Sequence, residues 1–186
     1  MERSFTIWYS SKEGAGGLRN YESYENTIKK VATFSTVEEF WVAYSHVMRP
    51  NKLSHGCDYH VFRTGIRPLW EDEQNRQGGK WVIRVKKNAT CKLWEDLLLA
   101  VIGQVFCLPD EINGCVLSVR SHEDVISLWN SHSEVNIGYN QISQTLREVM
   151  GVPPSYPLRY KKHATSLKDV PSFRQTAPVT ADVVSK

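Results

Sequence analysis

Residues 81–87 read Trp81-Val82-Ile83-Arg84-Val85-Lys86-Lys87, and apolar and polar side chains alternate along most of this segment. Successive residues of a strand point to opposite faces, so Trp81, Ile83 and Val85 share one face. The other face holds Val82, Arg84 and Lys86. This period of two predicts a strand with one buried and one half-exposed face, which is typical of an antiparallel sheet covered on one side only.

Further strands and helices are predicted on both sides of this segment. Apolar residues at helical spacing predict helices over residues 37–48, 93–102 and 142–150. Strands are predicted over residues 5–10, 59–63, 115–120, 124–129 and 155–161. The mixture predicts an α+β fold, in which helices pack on one face of an antiparallel sheet and the other face is free for a ligand.

The start of the first helix carries a capping signal. Ser35-Thr36-Val37-Glu38 matches the capping box, so we expect Ser35 to cap the helix and Glu38 to reach back. After residue 162 the chain becomes polar and contains proline, and we expect a flexible loop and tail over residues 162–186. The 186 residues otherwise suit a single domain.

Composition gives the broad class. The net charge of +3 is compatible with an anionic ligand but does not by itself indicate nucleic-acid binding. Four scattered cysteines indicate reduced thiols, and no apolar run is long enough for a membrane helix. We therefore expect a soluble intracellular protein in the cytoplasm, with the nucleus as a second compartment.

Residue patterns for catalysis are missing from the sequence. It contains no Gly-x-Ser-x-Gly, no phosphate loop ending in Gly-Lys-Ser/Thr and no His-Glu-x-x-His. The segment from His55 to His60 could suggest a metal site, but it has no second half with matching spacing. We expect neither an enzyme nor a bound metal or cofactor.

A loop segment is the first candidate for ligand binding. Gly65-Ile66-Arg67-Pro68-Leu69-Trp70-Glu71-Asp72 places an indole directly before a carboxylate. A Trp face attracts a flat, positively charged ring, and a carboxylate accepts hydrogen bonds from N–H groups on the edge of that ring. A 7-methylated guanine has both features. The alternative is that Trp70 packs into the core as an ordinary loop aromatic.

Two cations could meet the phosphates of such a nucleotide. Arg120 has the strand parity of Val116 and Ser118, which places it on the open face if Cys115, Leu117 and Val119 face the helices. Arginine can contact phosphate oxygens through two donors. Lys168 lies in the polar C-terminal stretch and could close over the same phosphates. Taken singly, each could also be a solvated charge.

Several ordered motifs together resemble the translation initiation factor 4E family, in the branch that includes the plant novel cap-binding proteins. They run from Ser35 to Trp41, from Gly65 to Asp72, from Gly78 to Trp81, from Trp94 to Leu99 and from Asn113 to Trp129. The resemblance implies a curved antiparallel sheet with three helices on its convex face. It also implies a slot on the concave face for the 7-methylguanosine cap of messenger RNA.

The resemblance implies a role for individual residues in that slot. It matches Tyr24 and Trp70 to the two stacking aromatics, Glu71 to the carboxylate on the guanine edge, and Trp129 to the aromatic near the methyl group. Arg120 matches a phosphate-binding arginine. The main branch has tryptophan at the Tyr24 position, and a phenol ring implies weaker cap binding.

The phosphate side departs from the main branch as well. Two lysines of that branch are replaced here by His122 and Val125. The resemblance therefore makes Lys168 the candidate replacement cation. These departures favour a weaker cap binder that competes with the main factor or represses selected messages. The alternatives are an ordinary initiation factor that recruits the scaffold protein, a general single-stranded RNA binder, or an enzyme acting on cap nucleotides.

The helical face implies a second function. In the family this surface receives a partner helix with a Tyr-x-x-x-x-Leu-hydrophobic motif, and Val37, Trp41 and Leu99 match its contacts. Glu95 departs from the leucine of the main branch, and a family segment of His-Pro-Leu type is not found before the first strand. The expected partners are capped messenger RNA and proteins with this motif, and we expect a monomer. The alternative is that Trp41 only completes the core.

Overall fold

The structure is a computed structural model and describes residues 3–11, 26–134 and 137–168. Seven strands form its sheet: β1 (Phe5–Ser11), β2 (Lys29–Phe34), β3 (Cys57–Arg63), β4 (Gly79–Lys86), β5 (Ile112–Ser118), β6 (Glu123–Asn130) and β7 (Leu158–Lys162). Five helices accompany them: α1 (Val37–His46), α2 (Glu73–Arg76), α3 (Thr90–Ile102), α4 (Ile137–Val149) and α5 (His163–Lys168). Short 3-10 turns lie at Pro50–Lys52 and Pro109–Glu111. No helix in these described ranges is long and apolar enough to cross a membrane.

The strands form one curved antiparallel sheet in the order β2-β1-β3-β5-β6-β4-β7. The predicted strand at residues 81–87 is β4, which lies between β6 and β7. Trp81 pairs with Leu128 of β6, and Ile83 pairs with Ile126. Directly paired residues point to the same face, so these four side chains enter one core.

The main core lies between the sheet and the long helices. Trp81 and Ile83 of β4 are buried there with Trp94 of α3, Phe40 of α1 and Ile142 of α4. Each of these helices turns an apolar face to the sheet, because buried residues recur along it at three- and four-residue spacing. The predicted α+β architecture is confirmed, with α1, α3 and α4 on one face of the sheet.

The cap of α1 differs from the prediction. Thr36, not Ser35, caps the helix, and its hydroxyl accepts a hydrogen bond from the backbone N–H of Glu39 at 3.1 Å. Glu39, not Glu38, reaches back and accepts from the backbone N–H of Ser35 at 2.7 Å. The sequence holds two overlapping capping boxes. The helix uses the second one because it begins at Val37.

The strand β2 and the two short helices α2 and α5 were not predicted. The edge strand β2 was missed because most of its side chains are exposed, including Lys29 and Lys30, so no buried stripe marks it. The short helix α5 occupies residues 163–168, where we predicted a flexible loop. That prediction is wrong for these residues. His163 is buried and its backbone N–H donates to the carbonyl of Gly78 at 3.0 Å, which fixes the start of α5.

Candidate ligand slot on the open face of the sheet

A second, smaller apolar cluster lies on the sheet face opposite the long helices. Phe62, Val116 and Trp129 are buried in it together with the loop residue Ile66. Their strand neighbours Val61, Cys115, Leu117 and Leu128 belong to the main core, so the alternation of each strand separates the two clusters. Trp70 packs against this second cluster and keeps part of its ring exposed.

A buried asparagine holds the loop that carries Trp70. The side-chain amide of Asn75 donates to the carbonyls of Arg67 at 2.9 Å and Leu69 at 2.8 Å. Its carbonyl oxygen accepts from the amide of Asn113 at 2.9 Å. The loop before Trp70 is thereby tied to β5. Sequence analysis gave no role to Asn75, because its partners lie far away along the chain.

The same loop is fixed beyond Trp70 by an aspartate. Asp72 caps α2 by accepting from the backbone N–H of Gln74 at 3.0 Å, and its other oxygen accepts from the backbone N–H of Arg67 at 3.0 Å. Glu71 lies between this anchor and Trp70 and is partly exposed. Glu71 thus follows Trp70 directly, on a loop that is fixed on both sides of the indole.

A lysine ammonium lies over two indole rings of this face. The Nζ of Lys80 is 5.0 Å from the ring centre of Trp129 and 5.7 Å from that of Trp70. Burial, together with the charges of Lys161 and Arg120, lowers the pKa of Lys80 to about 8 against the opposing effect of Asp58. Trp70 and Trp129, which sequence analysis placed in one site, are thus brought together, and their faces already attract a cation.

Arg120 follows β5 and turns its guanidinium to the open face. Its Nη2 lies 2.8 Å from Oδ1 of Asp58, a buried residue of β3 on the same strand face as Phe62. Its Nη1 donates to the carbonyl of Val119 at 2.9 Å. This arrangement holds a partly exposed guanidinium beside the aromatic cluster. The sequence did not point to Asp58, because the pairing of β3 with β5 is a long-range contact.

The backbone of Arg120 is held from the other side of the sheet by Asp124. This buried carboxylate accepts from the backbone N–H of Arg120 at 3.0 Å, from the hydroxyl of Thr90 at 2.7 Å and from the ammonium of Lys87 at 2.5 Å. One residue therefore connects β6, the start of α3 and the candidate phosphate contact. Sequence analysis assigned no role to Asp124.

Two histidines beside the aromatic cluster are buried, and burial favours their neutral form. Burial lowers the pKa of His60 to about 4, against the opposing effect of Asp58, and lowers that of His163 to about 3. His163 meets the ring of Trp129 edge-on, with ring centres 4.2 Å apart. His60 contacts the hydroxyl of Ser10 at 3.1 Å, and both residues are only 2% exposed. This Ser–His pair is enclosed and is not presented to a substrate.

The register of β4 and β6 places an arginine beside Val125, where the sequence predicted the loss of a phosphate-binding lysine. Val125 of β6, which the family resemblance matches to a lysine of the main branch, pairs directly with Arg84 of β4. Both side chains point to the open face, and Arg84 is exposed. His122 lies in the turn before β6 and is also exposed. Arg84 is a candidate phosphate contact that sequence analysis did not select.

The side chains of two predicted slot residues lie outside the described part of the structure. Tyr24 lies outside the described residues. Lys168 is the last residue of α5, and its side chain is likewise outside the described part of the structure. Among the residues that the structure does describe, no group of three or more His, Cys, Asp or Glu side chains could hold a metal ion.

The three predicted partner contacts lie on the helical side and are exposed. Val37 is 48% exposed, Trp41 41% and Leu99 42%. Trp41 rests on the ring of Phe40, with centres 5.0 Å apart, and leaves the rest of its indole uncovered. The alternative that Trp41 only completes the core is not what the structure shows, because 41% of this residue is exposed.

An ion pair lies between the two helices that carry this apolar surface. Arg49, which follows α1, bonds Glu95 of α3 at 2.6 Å and lies 5.0 Å from the ring centre of Tyr44. Burial raises the pKa of Tyr44 to about 12, and the charge of Glu95 adds to that effect. Glu95, which the family resemblance matches to a leucine of the main branch, therefore forms an ion pair within this chain.

Comparison with known proteins identifies the family. The family model described as eukaryotic initiation factor 4E matches residues 1–178. The chain is 43% identical to eukaryotic translation initiation factor NCBP of Oryza sativa over 176 residues, which is 95% of this chain and 76% of that protein. It is 42% identical to eukaryotic translation initiation factor 4E-4 of Caenorhabditis elegans, over 95% of this chain and 82% of that protein. The chain belongs to the eukaryotic initiation factor 4E family.

Solved structures of the family share the fold. C. elegans eIF4E-3, in complex with the 4E-binding protein Mextli and a cap analogue, superposes with a TM-score of 0.82 at 34% identity, over 91% of this chain and 95% of that chain. Ascaris suum eIF4E-3 in complex with the m7G cap gives a TM-score of 0.79 at 34% identity, over 88% of this chain and 90% of that chain.

Proposed function

We propose that this protein binds the 7-methylguanosine cap of messenger RNA in the slot on the open face. The observation that carries the proposal is the ammonium of Lys80 over the rings of Trp70 and Trp129. Two indole faces that attract a cation suit a purine ring that methylation has made positive. Related proteins of the same fold have been solved with cap ligands.

Each slot residue contacts a different part of the cap. Trp70 stacks on one side of the base, Tyr24 stacks on the other, and Trp129 meets the methyl group. Glu71 accepts hydrogen bonds from N1–H and the amino group of the guanine edge. Selectivity for methylation comes mainly from the aromatic faces, because guanine without the methyl group keeps the edge and loses the charge.

The phosphates meet the cations beside the aromatic cluster. Arg120 is held toward them by Asp58, and Arg84 stands across from Val125 in place of the lysine of the main branch. Lys168 is the third candidate for the phosphates. Arginine suits this role because its guanidinium can form two parallel bonds to phosphate oxygens.

The experiment that tests the proposal is a tryptophan-fluorescence titration with 7-methyl-GTP and with GTP. We expect saturable quenching by the methylated nucleotide and at least tenfold weaker binding of GTP, since cation–π attraction in a desolvated site is worth about 2 kcal/mol. Equal affinity for the two nucleotides would mean that the fold is kept without cap recognition.

We further propose a regulatory role, in which the protein competes with the main initiation factor for capped messages or represses selected ones. Tyr24, His122 and Val125 support this proposal, because each replaces a stronger ligand contact of the main branch. In this proposal the chain acts by binding and not by catalysis, and membership of a family of initiation factors supports it. The expected site of action is the cytoplasm.

The apolar surface formed by Val37, Trp41 and Leu99 is proposed to bind a partner helix with the Tyr-x-x-x-x-Leu-hydrophobic motif. Exposed aliphatic side chains beside an indole suit the apolar face of such a helix. The solved complex of C. elegans eIF4E-3 with Mextli is that of a related protein with a 4E-binding protein. The Arg49–Glu95 pair beside this surface is the feature expected to influence which partners are accepted.

Replacing Trp41 with alanine is expected to weaken binding of a peptide with this motif by about 30-fold or more, because truncating a central aromatic anchor costs about 2 kcal/mol. The measurement is isothermal titration calorimetry with the peptide. Affinity of the same variant for 7-methyl-GTP should stay within twofold, because Trp41 lies on the other side of the sheet. Unchanged peptide affinity would show that the partner binds elsewhere.

A further inference from the structure

The last strand carries two cations on the open face at the outer edge of the sheet. In the register of β4 and β7, Lys80 pairs with Lys161 and Val82 pairs with Arg159. Paired residues point to the same side, so Arg159 and Lys161 share the face that holds the slot. Tyr160 between them points to the main core. We call Arg159 and Lys161 the edge cations.

The edge cations have no anionic partner within the described part of the chain. No acidic side chain there lies within ion-pair distance of Arg159, Lys161 or Arg84. The charge of Lys161 instead lowers the pKa of Lys80, which places the two ammonium groups close enough to repel each other. This side of the slot therefore has an excess of positive charge that an anionic ligand would neutralise.

The positively charged residues extend from the slot toward the outer edge of the sheet. They begin at Lys80 beside the two indoles and continue to Lys161 across the strand pair. Arg159 lies two residues further back along β7, about 7 Å away at the usual rise of a strand. The two side chains can thus contact different phosphates of one extended strand. The charges are continuous with the proposed cap site and lie outside the base-binding aromatics.

We propose that the edge cations bind the phosphodiester backbone of the first nucleotides that follow the cap. This inference rests on the proposed cap binding, because the cap fixes where the RNA leaves the slot. Arg159 and Lys161 contact phosphate and read no base edge, so the contribution is independent of sequence. Capped RNA is bound more tightly than the cap nucleotide alone, and the gain depends on salt.

The test compares 7-methyl-GTP, a capped octanucleotide and the same octanucleotide without a cap, on the wild type and on the double variant Arg159→Gln/Lys161→Gln. For the wild type, the plot of log affinity for capped RNA against log salt should be steeper by about 1.4 than for the variant, as two single-strand phosphate contacts require. Between about 50 and 200 mM salt this corresponds to about a sevenfold larger loss of affinity. Affinity for 7-methyl-GTP should change by less than twofold.

The matched control is Lys29→Gln/Lys30→Gln, which removes the same charge from β2 at the opposite edge of the sheet. This control should keep the wild-type salt dependence. Equal losses in both double variants, or no advantage of capped RNA over 7-methyl-GTP, would overturn the inference and leave cap binding intact. Equal affinity for capped and uncapped RNA would instead contradict the cap proposal, and with it this inference.

Discussion

Replacing Trp70 with alanine is expected to lower the affinity for 7-methyl-GTP by about 30-fold or more and to remove most of the preference over GTP. Base stacking on an aromatic side chain is worth about 1–3 kcal/mol, and the positive charge of the methylated ring adds to this. GTP lacks that charge and should lose less. Fluorescence titration with both nucleotides, or calorimetry where the missing indole reduces the signal, measures the effect.

The structure indicates that this variant folds. Trp70 packs against the small cluster of the open face and not against the main core, and part of its ring is exposed. Trp41→Ala is the matched control, because it removes a partly exposed indole from the opposite side of the sheet. If Trp70→Ala and Trp41→Ala bind 7-methyl-GTP equally well, Trp70 is not a stacking residue.

Replacing Asp124 with alanine is expected to lower the free energy of unfolding by about 3 kcal/mol. Hydrogen bonds to a buried charged group are worth about 1.5–3 kcal/mol each, and water that enters the site recovers a part of the loss. The backbone N–H of Arg120 loses its acceptor, and the hydroxyl of Thr90 keeps only the carbonyl of Lys86 at 3.2 Å. Lys87, which is partly exposed, can turn to solvent. Urea unfolding followed by circular dichroism measures the change.

A second Asp–Lys pair provides the control. Asp96 bonds Lys92 at 2.5 Å, as Asp124 bonds Lys87, but the side chain of Asp96 is 30% exposed and that of Asp124 is 3% exposed. Asp96→Ala should cost less than about 0.5 kcal/mol, as is usual for an exposed pair one helical turn apart. A similar cost for both variants would show that burial of Asp124 does not set its contribution.

The local pattern of the sequence was enough for six of the seven strands and for the three long helices. The alternation of Trp81, Ile83 and Val85 and the helical spacing of Trp94, Leu97 and Leu98 follow from burial on one side of an element. The edge strand β2 was missed because an exposed strand has no such stripe. The capping of α1 was misplaced by one residue because two capping boxes overlap.

Only part of the candidate site could be predicted from the sequence. Trp70 was selected because an indole directly before a carboxylate suits a charged base, and Arg120 because its strand parity places it on the open face. The family resemblance matched both residues to the slot. Lys80, Asp58 and Asp124 were not selected, because their roles depend on contacts between strands that are distant in sequence. Strand register decides such contacts, and register is fixed only when the whole sheet is assembled.

The division of each strand between two apolar clusters has a consequence for how this fold diversifies. In β6, Ile126 and Leu128 enter the main core, while Val125 and Trp129 point to the open face. Mutation at one set of positions can change ligand preference, and mutation at the other set changes stability. Substitution at an open-face position such as Val125 is therefore expected to change ligand affinity with little effect on folding. One scaffold can in this way give rise to gene duplicates with strong and weak versions of the same activity.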